Sequence, residues 1–234
     1  MNKMMVAIVS LMSALMFCAC TSEIEKDSKV VDSYLKNNQG SNYSIVCIDS
    51  YTDPSAPFED VEYEYTAKQN GVYYIFYVKG GKVTRDDYQQ YVDGQVVSDI
   101  IWDEMRKSNT LPSSPNGVRL YCSLVARKKM DNSETTVDFS SAKDASDFVQ
   151  LAAQEDAFCN IGINVDFTDG RDVNQQTWLY DMYEATKAAF PGSTVSLKVR
   201  SIDTTKSKIL GVGDTPYSYR DRQTFMDGLR YKEK

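Results

Sequence analysis

Five cysteines and no histidine set the limits on the chemistry this chain can perform. Without an imidazole, Ser-His-Asp and Cys-His catalysis, His-ligated zinc or copper and a switch titrating near neutral pH are all excluded. Cys47, Cys122 and Cys159 each lie inside an apolar stretch, and no CxxC spacing relates them. They read as small buried residues; in an oxidising compartment two of them could instead pair and leave one over. The acidic pairs Asp86-Asp87, Asp103-Glu104 and Glu155-Asp156 sit among helical residues and read as solvated faces. No Gly-rich phosphate loop and no Gly-x-Ser-x-Gly occurs. The chain is therefore expected to be non-enzymatic and to need no cofactor.

The remaining two cysteines belong to the N-terminus. Asn2-Lys3 is followed by an apolar run, Met4 to Phe17, broken only by Ser10 and Ser13. Cys18-Ala19-Cys20 closes it, and Thr21-Ser22-Glu23 turns polar at once. A basic start, an apolar middle too short for a good membrane span and a small residue at the end make a secretory signal. With Ala19 directly before Cys20, the segment resembles the lipobox of bacterial lipoproteins. The resemblance implies that residues 1–19 are removed as a signal peptide and that Cys20 is acylated as the new N-terminus. An ordinary signal peptide cut nearby without lipid is the alternative. Glu23, Glu25 and Asp27 resemble the acidic tag that carries some lipoproteins to the outer face of the outer membrane; the other reading is a solvated tether. The membrane is then a partner through the acyl chains, which anchor stably once two are present. The expected place is the bacterial outer membrane, lipid-anchored and either periplasmic or surface-exposed.

The full chain carries 26 basic and 33 acidic residues, a net charge of −7, without a basic cluster. That balance excludes nucleic acid as a partner. The bulk of the chain is long enough for one large domain or two small ones with real cores.

The elements that would position a site follow from periodicity. Lys29 to Asn37 predicts a short helix, Tyr43 to Ile48 a strand, and Tyr51 to Glu59, with Pro54 and Pro57, a loop. Val61 to Lys68 alternates strictly, and Val72 to Lys79 follows across Asn70-Gly71, the favoured pair for a type I′ turn. Register then sets Gln69 against Val72, Glu64 against Tyr77 and Glu62 against Lys79. Tyr63, Tyr65, Ala67, Tyr74, Phe76 and Val78 form a core face. Tyr73, Ile75 and Tyr77 lie on the opposite face beside Glu62 and Glu64. They either pack under a helix or form an aromatic patch for an envelope protein or a glycan.

Thr84 to Met105 predicts a helix, with Asp93-Gly94 as a competing hairpin turn. Ser108 to Gly117 is polar and carries Pro112 and Pro115, a boundary between two small units. Beyond it come strands at Val118 to Ala126 and Thr135 to Phe139, a helix at Ser141 to Gln154 and a strand at Phe158 to Phe167. A helix capped by Asp172 runs to Ala189, followed by a strand at Thr194 to Ile202, a loop at Thr204 to Tyr219 and a last short element around Phe225 to Tyr231. Residues 1–19 are thus signal, 20–41 tether and short helix, 42–108 the first unit, and 117–234 the second unit and tail. The expected class is α+β, with antiparallel sheets and helices packed on one face.

Two further resemblances bear on function. Ile163 to Gly170 resembles the loop after a strand in von Willebrand factor A domains, where an aspartate helps hold Mg²⁺. The second loop that family needs is matched only by Asp49 to Asp53, which lacks both serines, so a capped turn is expected there and no metal. Asn70 to Gly81 and Tyr88 to Val97 resemble strands of FKBP-type prolyl isomerases in exported lipoproteins. That resemblance implies an aromatic pocket receiving proline, and stands as the alternative to a binding or accessory role in an envelope assembly.

Overall fold

The computed structural model describes residues 29–37, 43–51, 61–112, 115–169, 171–205, 208–216, 218–229 and 232–233. Cys20, the acidic tether and nearly all of the Tyr51 to Glu59 loop lie outside them. Residues 29–37 form helix α1. Strands β1 (Tyr43–Tyr51), β2 (Glu62–Gln69), β3 (Val72–Lys79) and β4 (Lys82–Asp86) follow, then α2 (Tyr88–Asp93) and α3 (Gln95–Lys107). The second stretch holds β5 (Val118–Lys128), β6 (Glu134–Thr135), α4 (Ala145–Gln154), β7 (Ala157–Phe167) and a 3-10 turn at Val173–Gln175. It continues with α5 (Trp178–Ala189), β8 (Thr194–Asp203), β9 (Lys208–Asp214), α6 (Arg222–Gly228) and β10 (Lys232–Glu233). The fold is α+β.

The ten strands among the described residues belong to one sheet, in the order β4-β3-β2-β1-β9-β8-β7-β5-β6 with β10 on β9. Most neighbours are antiparallel, but β7–β8 and β1–β9 run parallel. The 108–117 segment does separate two stretches of chain. Strands from both sides of it nevertheless share the sheet, and α3, which precedes it, packs with the strands that follow it.

The β2–β3 hairpin has the expected register, with Gln69 on Val72, Glu64 on Tyr77 and Glu62 on Lys79. Asn70 and Gly71 both take positive φ, as a type I′ turn requires. Its core face is buried throughout, under Val31 and Leu35 of α1. On the other half, Cys122, Leu124, Ile161, Ile163, Val165, Leu197 and Val199 form the apolar face, covered by α3, α4, α5 and α6. Helices thus lie on the outside of each half.

The inner faces meet. Glu64 on β2 touches Lys198 and Arg200 on β8, and Tyr73 on β3 lies 5.6 Å, ring to ring, from Tyr121 on β5. Strands so far apart in the order can touch only if the sheet curls on itself. The remaining gap between β3 and β5 is spanned by α2, which packs on both. Only Ala126 and Arg127 of β5 pair with β6, so α2 and the start of α3 also cover the free edge of β5. Gly94, at the junction of α2 and α3, lies directly on the Cys122 backbone.

Several sequence expectations are corrected. Thr84 does not cap a helix: it lies in β4, because Gly80 and Gly81, both at positive φ, turn the chain into a third strand. The helical segment starts only at Tyr88, whose N–H donates to the Asp86 carboxylate, and divides at Gly94 into α2 and α3. The helix expected from Ser141 begins at Ala145, capped by Asp144. Asp172 caps a 3-10 turn rather than α5 itself. The expected strand at Thr135 to Phe139 shrinks to a two-residue pairing. The expected loop at Thr204 to Tyr219 contains β9, where Gly211 and Gly213 hide a strand that exists because β8 pairs with it along its length.

A Cβ at position 94 would overlap the Cys122 carbonyl, a backbone group that cannot swing away. Gly94→Ala should therefore destabilise the protein by about 1–3 kcal/mol through overpacking, read as a lower urea midpoint at unchanged slope. Unaltered stability would show that the helix is not seated on β5.

Candidate ligand-binding cleft

Strand parity places Arg119 and Tyr121 of β5, Asn164 and Asp166 of β7, and Lys198 and Arg200 of β8 on the inner face. Opposite them stand Glu64 and Thr66 of β2 and Tyr73, Ile75 and Tyr77 of β3. Arg200 is fully buried. Its Nε and Nη2 donate to Asp166 at 2.8 and 3.1 Å, and its Nη1 donates to Thr66 at 2.8 Å and to Glu64 at 3.2 Å. Nη2 also donates to the Tyr121 hydroxyl. All five guanidinium protons are thereby used. Lys198 Nζ donates to both Glu64 oxygens, at 2.9 and 2.8 Å, and the Tyr77 hydroxyl donates to Glu64 at 3.3 Å. Two cations and two carboxylates make this cluster neutral.

The electrostatics follow. Burial opposes the Arg200 charge, but Asp166 and then Tyr121 outweigh it and hold the guanidinium well above its ordinary range. Burial likewise opposes the Glu64 charge, but Lys198 and then Arg200 draw its carboxyl below the usual value. Burial raises the Tyr121 and Tyr91 hydroxyls and the Cys47 thiol, which lies beside Arg200. Burial pushes the Cys122 and Cys159 thiols up to about 12, and none of the three cysteines is paired.

At one end of this cluster the inner face opens into a cleft of about 280 Å³ between β3, β5, α2 and α3. Tyr73, Tyr91 and Tyr121 line it from the sheet and α2, and Trp102 closes it from α3. Tyr91 and Tyr121 rings lie 5.7 Å apart. Tyr121 is fixed by its bond to Arg200, and the Tyr91 hydroxyl accepts from Asn164 at 3.4 Å. Gln95 and Asp99 of α3 stand exposed at the rim. A larger cavity of about 350 Å³ lies across α2, lined by Asp86, Asp93 and Glu134 among others. Its carboxylates are already engaged: Asp86 by Tyr34 and the Tyr88 N–H, Asp93 by Gln89, and Glu134 by Arg127. The aromatic cleft is the better candidate because four aromatic residues line it and Gln95 and Asp99 stand exposed at its rim.

Of the three residues expected to bind a partner, Tyr73 lines the cleft and is half-buried. Ile75 is 3% exposed and belongs to the core. Tyr77 bonds to Glu64 and carries the Arg85 guanidinium 3.9 Å from its ring centre. Trp102, Gln95 and Asp99 were not anticipated. Their spacing of four and three puts them on one helical stripe, apart from the buried Val97, Ile100, Ile101 and Met105. That stripe was the available signal. In the segment resembling a metal loop, Asp169 pairs with Arg171 and Asp172 caps the turn that follows.

Because the folded Glu64 carboxyl titrates below its ordinary value of 4.5, its contribution is complete above that value and is lost as pH falls through the folded pKa. Thermal midpoints measured from pH 7 to pH 2 should fall on the acid side, and Glu64→Gln should flatten that limb. A wild-type and a Glu64→Gln curve of the same shape would remove Glu64 from the acid response. No family model, curated protein or solved structure matches this chain.

Proposed function

We propose that the protein is a lipid-anchored component of the bacterial cell envelope, acylated on Cys20, that holds a ligand in the Tyr73–Trp102 cleft rather than performing a reaction. The observation that carries the binding reading is the cleft itself: four aromatic rings, two of them braced by buried hydrogen bonds, around a recess of about 280 Å³. Among the described residues no helix is long and apolar enough to cross a membrane. The anchor in this reading is the acyl group, inferred from Ala19-Cys20 after the apolar run. The placement at the outer membrane rests on the acidic residues after Cys20.

A second reading, a prolyl isomerase of the FKBP type, is favoured by the same ring of aromatics. It is weakened by Tyr88–Val97, which the resemblance requires as strand and which lies in α2 and the start of α3. Turnover of a proline-containing test peptide by the purified protein separates the two.

Growth with labelled palmitate tests the anchor. Label should enter the wild-type protein and be absent from Cys20→Ser, which should leave the membrane fraction. An unlabelled wild type, or label that persists in Cys20→Ser, overturns the anchored reading.

A further inference from the structure

We infer that the cleft takes a neutral sugar ring, such as one unit of a glycan. This rests on the reading of the cleft as a binding site.

Size, charge and hydrogen-bonding capacity point the same way. A recess of about 280 Å³ lies at the lower limit of ligand sites, so it suits one or two ring units rather than a long chain. Tyr73 and Trp102 are half-buried and line the recess. Aromatic faces are electron-rich, and the C–H face of a pyranose is the complementary surface. Asp99 supplies acceptors, Gln95 both donor and acceptor, and the Trp102 indole a donor. Sugar hydroxyls, each donor and acceptor at once, can use all three.

Other ligand classes fit less well. Asp99, exposed at the rim, sets a negative charge beside the recess, so an anionic ligand would meet repulsion there. Lys68 and Arg119 already stand 5.0 and 5.3 Å from the Tyr73 ring centre, and Arg200 stands 5.9 Å from that of Tyr121. Those positive neighbours oppose a second cation.

The test uses Trp178→Phe in the full chain. Trp102 is then the single tryptophan, because the chain has two. Its fluorescence is titrated with a panel of neutral β- and α-linked disaccharides, with a glucuronate-containing disaccharide, with choline and with a proline-rich hexapeptide. At least one neutral disaccharide should saturate the signal. Its affinity should fall about tenfold or more in Tyr73→Ala and in Asp99→Asn, while Lys129→Ala, on the far turn of β5, should leave it unchanged. Circular dichroism and thermal midpoints of each variant separate lost binding from lost folding. Saturation by the peptide, choline or the acidic sugar alone would overturn the sugar assignment and leave the cleft reading standing. No response to any probe would overturn both.

Discussion

Arg200 is the constraint on which the arrangement depends. A guanidinium removed from water is costly unless every proton finds an acceptor and a counter-charge lies beside it. Here Asp166 on the neighbouring strand supplies half of that requirement, and the bond is local to the sheet. Glu64 and Thr66 supply much of the rest, from a strand more than 130 positions earlier in the chain. The sheet can therefore curl in one registration only. A slip of one residue on β2 would point Tyr65 and Ala67 at the guanidinium and leave it uncompensated. By general experience such a cluster adds little net stability over a well-packed apolar one, since desolvation offsets much of the Coulomb gain. What it contributes is the uniqueness of the fit between the two inner faces.

The same cluster gives the cleft its rigidity. Tyr121 is oriented by Arg200 and Tyr91 by Asn164, so two rings of the recess are held by groups that do not belong to it. The helices α2 and α3 complete it from the other side, and they approach closely enough only because position 94 has no side chain. Trp102, Gln95 and Asp99 are therefore placed against Tyr73 by a backbone-on-backbone contact. That contact is stiffer than one between flexible side chains.

Much of the local structure was legible in the sequence, and the reason is range. The β2–β3 hairpin is set by strict alternation and by Asn70-Gly71, all within some twenty residues, and its register is readable from those alone. β4 was misread because Tyr88, Tyr91 and Val92 give a helical period, and that period was extended backwards over Thr84, although Gly80-Gly81 marks a second tight turn. β9 was invisible because its glycines have no strand preference of their own. The inner cluster could not be read at all. Alternation shows that Asn164, Asp166, Lys198 and Arg200 share a face, but water is the ordinary neighbour of such a face. Only the presence of Glu64 and Thr66 on another polar face, mixed with Tyr73, Ile75 and Tyr77, hinted that the two belong together.

A polar interior also explains why there is a cleft to consider. Two apolar inner faces would approach until their side chains interlocked, since voids forfeit dispersion contacts. Glu64, Lys198, Asp166 and Arg200 instead fix the spacing by hydrogen-bond lengths and side-chain reach, and the space beyond the last bonded pair stays open. Tyr73, Tyr91 and Tyr121 border that space. The recess in this fold thus arises where the charged contact ends, and the strength of that contact decides how constant its shape remains.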